Sequence, residues 1–173
     1  MAYVPKILAF AGSTRSGSLN KQLVKVASAG ARAAGAEVTA LDLRDLPMPL
    51  YDGDLEANEG IPPNARTLKE LMLAHQGLLI SAPEYNTGIS GVLKNAIDWA
   101  SRSAGGEAPL ACFMGKVAAL MSASPGSLGG LRGCFAIPPP AETLSRNVVV
   151  VTDGFVGVEA ESFRLVRAQL GKA

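Results

Sequence analysis

Lys6-Ile7-Leu8-Ala9-Phe10-Ala11-Gly12-Ser13-Thr14-Arg15-Ser16-Gly17-Ser18-Leu19-Asn20 is the stretch on which the fold turns. It opens as a short apolar run of strand character and passes through a turn of small residues. From there Leu19, Leu23, Val26 and Ala27 fall at helical spacing. A strand-to-helix turn of this kind gathers free backbone N–H groups and the positive end of a helix dipole around one point. Ser13, Thr14, Ser16 and Ser18 add hydroxyls, and Arg15 adds a charge able to pair with phosphate oxygens. An anion suits such a point. An ordinary polar turn has the same composition, so this loop alone leaves both readings open.

Two better-known phosphate loops are excluded. Gly12 and Gly17 have the glycine spacing of a nucleoside-triphosphate loop, but Ser18-Leu19 stands where Lys-Ser/Thr is required. A kinase or NTPase is therefore not expected. The dinucleotide fingerprint G-x-G-x-x-G fails because residue 14 is Thr, which would obstruct close approach to a pyrophosphate. A monophosphate held by hydroxyls and amides remains.

At 173 residues the chain suits one α/β domain with a full core, read as a single domain over residues 1–173. Sixteen basic residues against 15 acidic ones give a net charge of +1, so neither nucleic acid nor an obligate acidic electron-carrier interface is indicated. Small molecules are the expected partners. Cys112 and Cys134 lack metal-ligand spacing, and His75 is the single histidine, so no metal site is expected. Both cysteines read as buried hydrophobes in a reducing compartment. The apolar stretch after Lys6 is too short for a secretory core and no run is long enough to span a bilayer, so a cytoplasmic protein that does not engage membranes is expected.

Along the chain, the first helix is expected to end near Gly35 and a second strand to cover 37–43. The Pro-, Asp- and Gly-rich segment 46–63 reads as a long loop, and 64–76 as a helix. A buried strand over 77–82 delivers a second informative loop, Pro83-Glu84-Tyr85-Asn86-Thr87-Gly88. A helix over 91–102, a fourth strand over 116–121, a loop over 122–130, a fifth strand over 147–152 and a closing helix over 159–170 complete the reading. Strands alternating with helices imply a parallel sheet covered on both faces, with five strands in the order 2-1-3-4-5. In that order strands one and three are neighbours whose connections leave toward opposite faces. Both loops then open into the crevice at their carboxyl ends.

In the second loop Pro83 fixes its own φ and restricts Ala82, while Gly88 permits a turn, giving a stiff backbone that a flat ligand can approach. Backbone N–H groups of residues 84–87 could meet an isoalloxazine, with Tyr85 flanking it; plain turn residues are the alternative. Glu84 has no His or second carboxylate nearby in sequence, which favours a structural role over an acid catalyst.

Gly12-Ser13-Thr14-Arg15 with Ser18 and Asn20, and Pro83-Glu84-Tyr85-Asn86 followed by Leu93-Lys94-Asn95-Ala96-Ile97-Asp98-Trp99, resemble the NAD(P)H-dependent FMN reductase family, a flavodoxin-like group that includes quinone, azo and chromate reductases. Pro49-Leu50-Tyr51-Asp52 and Ser124-Pro125-Gly126-Ser127-Leu128-Gly129-Gly130 are similar to family segments as well, so the likeness runs from about Lys6 to Arg132. The resemblance implies a flavodoxin-like three-layer sandwich that binds FMN. Ser13, Arg15, Ser18 and Asn20 would hold the phosphate. Pro83, Glu84, Tyr85, Asn86 and Gly88 would hold the ring, with Ser122 and Ser124 at its far edge. It also implies NADPH or NADH as reductant and a flavin, quinone or related small-molecule electron acceptor in a ping-pong cycle, the flavin carrying the chemistry and no side chain serving as a catalytic residue. Two rivals stand beside it: a flavodoxin-type electron carrier without its own NAD(P)H oxidation, and a phosphate binder that uses no flavin.

Beyond Arg132 the likeness fades. Pro138-Pro139-Pro140 cannot sit inside a helix, where each proline costs about 3 kcal/mol, so a helix is expected to stop near Ile137 and can restart from Pro140. The structure of 133–146 stays open, and the tail after Asp153 is shorter than the family's. His75 reads as an exposed helix-end residue and Asp98–Arg102 as a helix-face ion pair. Val92, Leu93, Ala96, Ile97, Trp99 and Ala100 exceed one docking stripe, so part of the set, Trp99 foremost, is expected at a subunit contact in a homodimer or homotetramer.

Overall fold

The structure, a computed structural model, describes residues 3–103, 106–108, 110–125, 128–135, 137 and 145–152. Strand β1 (Lys6–Ala11) lies between β2 (Glu37–Asp42) and β3 (Gly77–Ser81), in register Leu8 with Thr39 and Leu78. β3 pairs in turn with β6 (Val117–Ser124), and every pairing in this sheet is parallel. β7 (Ser145–Thr152) runs parallel along the far side of β6. Parallel strands of this kind are covered on both faces, which is why β1 and β3 are near-continuous apolar runs.

Side-chain alternation in β1 sorts the core into two layers. Ile7, Ala9 and Ala11, with Leu79, Ala119 and Met121, pack on Val24 and Ala31 of helix α1 (Leu19–Ala33). Leu8 and Phe10, with Leu78, Ile80 and Leu120, pack on the other face against α3 (Pro63–Ala74) and α4 (Gly91–Ser101) through Leu68, Met72, Leu93, Ala96, Ile97 and Ala100. α1 starts at Ser18, whose hydroxyl accepts from Lys21 N, and ends before Gly35, which supplies the left-handed conformation (φ 94°) that releases the chain into β2.

Several expectations are corrected. Segment 46–63 is not all loop: α2 (Gly53–Glu59) forms because the Asp52 carboxylate accepts from Asp54 N at 2.8 Å and Leu55 N at 3.4 Å. The fourth strand does not end at 121 but continues to Ser124. The second loop contains a hairpin of β4 (Glu84–Tyr85) and β5 (Gly88–Ile89). A short helix, α5 (Leu131–Phe135), precedes the prolines, while the expected restart at Pro140 and the closing helix over 159–170 lie outside the described residues.

His75 is buried rather than exposed, because its ring meets Leu71 O at 2.6 Å and Thr39 Oγ1 on β2 at 2.8 Å. Asp98 pairs with Lys94 at 2.7 Å instead of Arg102, and Arg102 turns to Glu56 at 2.9 Å. Trp99 is fully buried inside its own chain, packed with Ile61 and Ala65 and edge-on to Tyr51. Leu93, Ala96, Ile97 and Ala100 are likewise buried and Val92 packs on the same core, so the α4 set leaves no surplus for a subunit contact.

Lys69 is a buried cation with a visible purpose. Its ammonium donates to Ala100 O at 3.4 Å and to Arg102 O, and pairs with Glu107 at 2.9 Å. It thereby satisfies the carbonyl end of α4 and ties the following loop beneath it.

Candidate functional site

Both loops leave the carboxyl ends of the adjacent strands β1 and β3. Gly12 joins them: its N–H donates to Ser81 O at 2.8 Å, and its carbonyl accepts from Ser90 Oγ at 2.5 Å. Ser90 is also the N-cap of α4, accepting from Leu93 N at 3.2 Å. A side chain at residue 12 has no room, since its Cβ would lie 2.7 Å from Leu93 Cβ. The first loop, the end of β3 and the start of α4 therefore meet at one glycine.

Within the first loop, Ser13 and Ser18 are buried while residues 14–17 are exposed. Ser13 Oγ accepts from Arg15 N at 3.3 Å and Ser18 Oγ from Lys21 N at 3.4 Å. Each hydroxyl uses an acceptor site on the backbone and keeps its hydrogen for an incoming anion. The N–H groups of Thr14, Ser16 and Gly17 have no acceptor among the described residues, and Arg15 has no ion-pair partner among them. This is a donor-rich cradle at the N-terminus of α1.

Asn20 has a different task from the one its position in the motif suggests. Its Oδ1 accepts from Ser81 Oγ at 2.7 Å and Ala123 N at 3.1 Å, and its Nδ2 donates to Ala123 O at 2.9 Å. The side chain is a buried peg that fixes the start of α1 to the ends of β3 and β6.

In the hairpin, Glu84 pairs with Ile89 and Tyr85 with Gly88. Asn86 (φ 52°) and Thr87 (φ 70°) make the two-residue turn, the left-handed pair of a type I′ hairpin. Gly88 is thus a ladder residue and not the turn's left-handed position, which is the role its sequence position suggested. Thr87 is β-branched, so its conformation is strained. Pro83 is buried, Tyr85 is 51% exposed, and the N–H groups of Asn86 and Thr87 have no acceptor among the described residues.

Glu84 turns its carboxylate away from the hairpin tip. Oε1 accepts from Arg132 Nε at 2.8 Å and Oε2 from Gly133 N at 3.1 Å. Burial pushes this carboxyl up, but the Arg132 and Gly133 hydrogen bonds outweigh it and hold Glu84 below the usual range. Ser122 is not at an open edge: it is fully buried beneath Gly130, where a Cβ would meet its Oγ at 1.9 Å. Ser124, two residues on, is partly exposed at the end of β6.

Single residues of the sequence gave no sign of the clamp on segment 49–51. Pro49 O accepts from both Asn95 Nδ2 (2.9 Å) and Trp99 Nε1 (2.8 Å), and Tyr51 N donates to Asn95 Oδ1 (2.8 Å). Tyr51 lies under the Arg102 guanidinium and donates its hydroxyl to Glu56. Leu50, between the clamped residues, stands 79% exposed.

An anion cradle and a stiff hairpin at the carboxyl ends of neighbouring parallel strands define a flavodoxin-like α/β protein. The sequence matches the NADPH-dependent FMN reductases over residues 5–161, and the chain belongs to that family. It is 41% identical over 127 residues to an NAD(P)H-dependent FMN reductase of Pseudomonas aeruginosa, and 39% identical over 132 residues to a quinone reductase of Escherichia coli K12. Each comparison takes in 73% of this chain and 64% of the relative, so the chain spans less than two thirds of the length of these curated relatives. Among solved structures it is similar to the flavoenzyme NAD(P)H:(acceptor) oxidoreductase of Paracoccus denitrificans, with a TM-score of 0.69 at 25% identity, over 96% of this chain and 93% of that one.

Proposed function

We propose that this protein is an NAD(P)H-dependent oxidoreductase that binds FMN and reduces flavins, quinones or related acceptors. The observation that carries the reading is the Gly12 junction, which brings a cradle of free donors and a stiff hairpin to one crevice. The residues present fit FMN. Ser13, Ser18, Arg15 and the open N–H groups of residues 14, 16 and 17 would hold a terminal phosphate, with Asn20 positioning the helix behind them. Pro83, Glu84, Tyr85, Asn86 and Gly88 would present the hairpin backbone to a flat ring, and Ser124 is the better placed of the two β6 serines to reach it. Held there, FMN would supply the hydride-transfer chemistry between a nicotinamide and the acceptor. The chain's part is to bind, orient and shield from water.

The test is a visible spectrum of the purified protein, followed by FMN and FAD titration with fluorescence quenching and anaerobic addition of each nicotinamide. FMN binding tighter than FAD, and bleaching by NADPH or NADH alone, is expected. Flavin that bleaches only with a partner reductase would turn the reading to an electron carrier, and no flavin binding at all would end it.

The same proposal includes a single flavodoxin-like domain with β7 completing a five-stranded sheet, a cytoplasmic setting consistent with the free, buried Cys112 and Cys134, and assembly into a homodimer or homotetramer. Among the described residues, Leu50, Tyr85 and Leu128 are exposed apolar residues on the loops at the carboxyl ends of the strands, the surface a second copy would cover. Light scattering at micromolar concentration tests the assembly, and a monomer mass for the active protein would dismiss it.

A further inference from the structure

We propose that Glu84 and Arg132 form a positioning pair that clamps the β4–β5 hairpin to α5 and balances charge beside the bound ring, an inference that rests on the FMN reading above. Strands of two residues each do not hold a hairpin on their own. This one also carries a strained Thr87, and strain of that kind persists only where the surroundings over-determine it. Support has to come from outside the hairpin. Among the described residues its ion pair is the one from Glu84 to Arg132.

The contact is built closely. The Glu84 side chain is 9% exposed, and its two oxygens have separate partners, the Arg132 fork on one and Gly133 N on the other, which fixes the carboxylate plane. Backbones meet because side chains are missing: a Cβ at Gly133 would lie 3.2 Å from Glu84 Cβ and 3.4 Å from its Cα, and one at Gly130 would lie 3.6 Å from Glu84 Cβ. Arg132 is half exposed, so an ordinary surface pair would contribute little. Here the carboxylate is enclosed, and removing the guanidinium leaves it short of a partner.

Charge distinguishes this pair from a merely mechanical brace. With both groups present the hairpin is neutral at its base. Without Arg132 the carboxylate at the hairpin's base would be uncompensated, and without the Glu84 charge the guanidinium would be, so a ring held by this hairpin would gain electrons against a changed local charge.

The experiment compares Glu84→Gln, Arg132→Gln and Arg132→Lys with the wild type, measuring FMN affinity, the midpoint potential of the bound flavin at saturating FMN, and amide exchange of residues 85–88 in the flavin-free protein. Both glutamine variants are expected to weaken FMN by at least tenfold and to speed exchange at the hairpin. The potential is expected to fall in Arg132→Gln and to rise in Glu84→Gln, with Arg132→Lys restoring the potential but only part of the affinity. Shifts of the same sign in both glutamine variants, or none, would overturn the charge-balancing role, and unchanged hairpin exchange would overturn the clamp. A wild-type protein that binds no FMN would instead remove the functional reading, while the exchange measurement would still decide the clamp.

Discussion

Arg15 and Gly12 separate binding from folding at the level of single residues. Arg15 is exposed and without an ion-pair partner among the described residues, so Arg15→Ala should leave the unfolding free energy within about 0.5 kcal/mol of wild type. Losing a charge-assisted phosphate contact of about 1.5 to 3 kcal/mol should raise the FMN dissociation constant roughly 10-fold to 150-fold. An unchanged constant at moderate salt would show that the guanidinium points elsewhere. Gly12→Ala should fail differently, because a methyl 2.7 Å from Leu93 Cβ must displace either the loop or α4. A stability loss of about 1 to 3 kcal/mol together with weakened FMN is expected. Thr87 offers the opposite sign. A left-handed conformation costs a side-chain-bearing residue about 1 to 2 kcal/mol, and the entropy of an added glycine takes back about 0.4 to 1 kcal/mol. Thr87→Gly should therefore stabilise the fold by up to about 1.6 kcal/mol in urea denaturation, and a loss of stability would mean that the threonine side chain holds the turn.

Helix α4 shows how an element can be read correctly and its purpose missed. Its apolar stripe was plain in the sequence, but the destination of Trp99 was not, because Pro49 and Ile61 lie far away along the chain. A helix that must cover a sheet on one side and hold segment 49–51 and α2 on another needs more than one apolar stripe, and no second subunit is required to explain it. Trp99→Ala should accordingly destabilise the folded chain by about 3 to 5 kcal/mol in chemical denaturation. Dissociation of an assembly with the protomer's stability unchanged would restore the interface reading. The same reasoning explains α2: its composition resembles a loop, and only the Asp52 cap seen in three dimensions turns it helical. The burial of His75 has a similar cause, its partner Thr39 being on a strand 36 residues earlier. By contrast, β1, β2 and β3 and the places of the two loops after β1 and β3 were legible because each is announced by contiguous residues, whereas the hairpin inside the second loop was not.

Among the described residues, four ion pairs link positions distant in sequence: Lys21–Asp42, Arg102–Glu56, Lys69–Glu107 and Arg132–Glu84. The Arg102 hydrogen bonds hold Glu56 low. For Asp42 and Glu84 burial acts upward, but the bonds from Lys21 and Arg44 N, and from Arg132 and Gly133 N, prevail. A carboxyl whose folded pKa lies below its unfolded value stabilises the fold above the unfolded pKa, and that contribution disappears as pH falls through the folded one. Denaturant midpoints should thus be flat near neutrality and fall below the ordinary carboxylate range. Glu56→Gln should make that fall shallower, and an identical acid profile in the variant would count against the pair. The topology could be inferred from strand and helix alternation, whereas these cross-links could not, since each depends on side-chain geometry that only the assembled sheet creates.

The Asn20 peg has a consequence for how the protein comes into being. Its partner Ala123 is separated from it by 103 residues, and Gly12 finds Ser90 across 78. Synthesis proceeds from the amino end, so the loop over 12–18 precedes its anchors, which emerge only with α4 and β6. The loop over 12–18 therefore cannot take up its anchored shape until residue 123 has been added to the chain. On the proposed reading, FMN binding would report that the sheet has closed as far as β6.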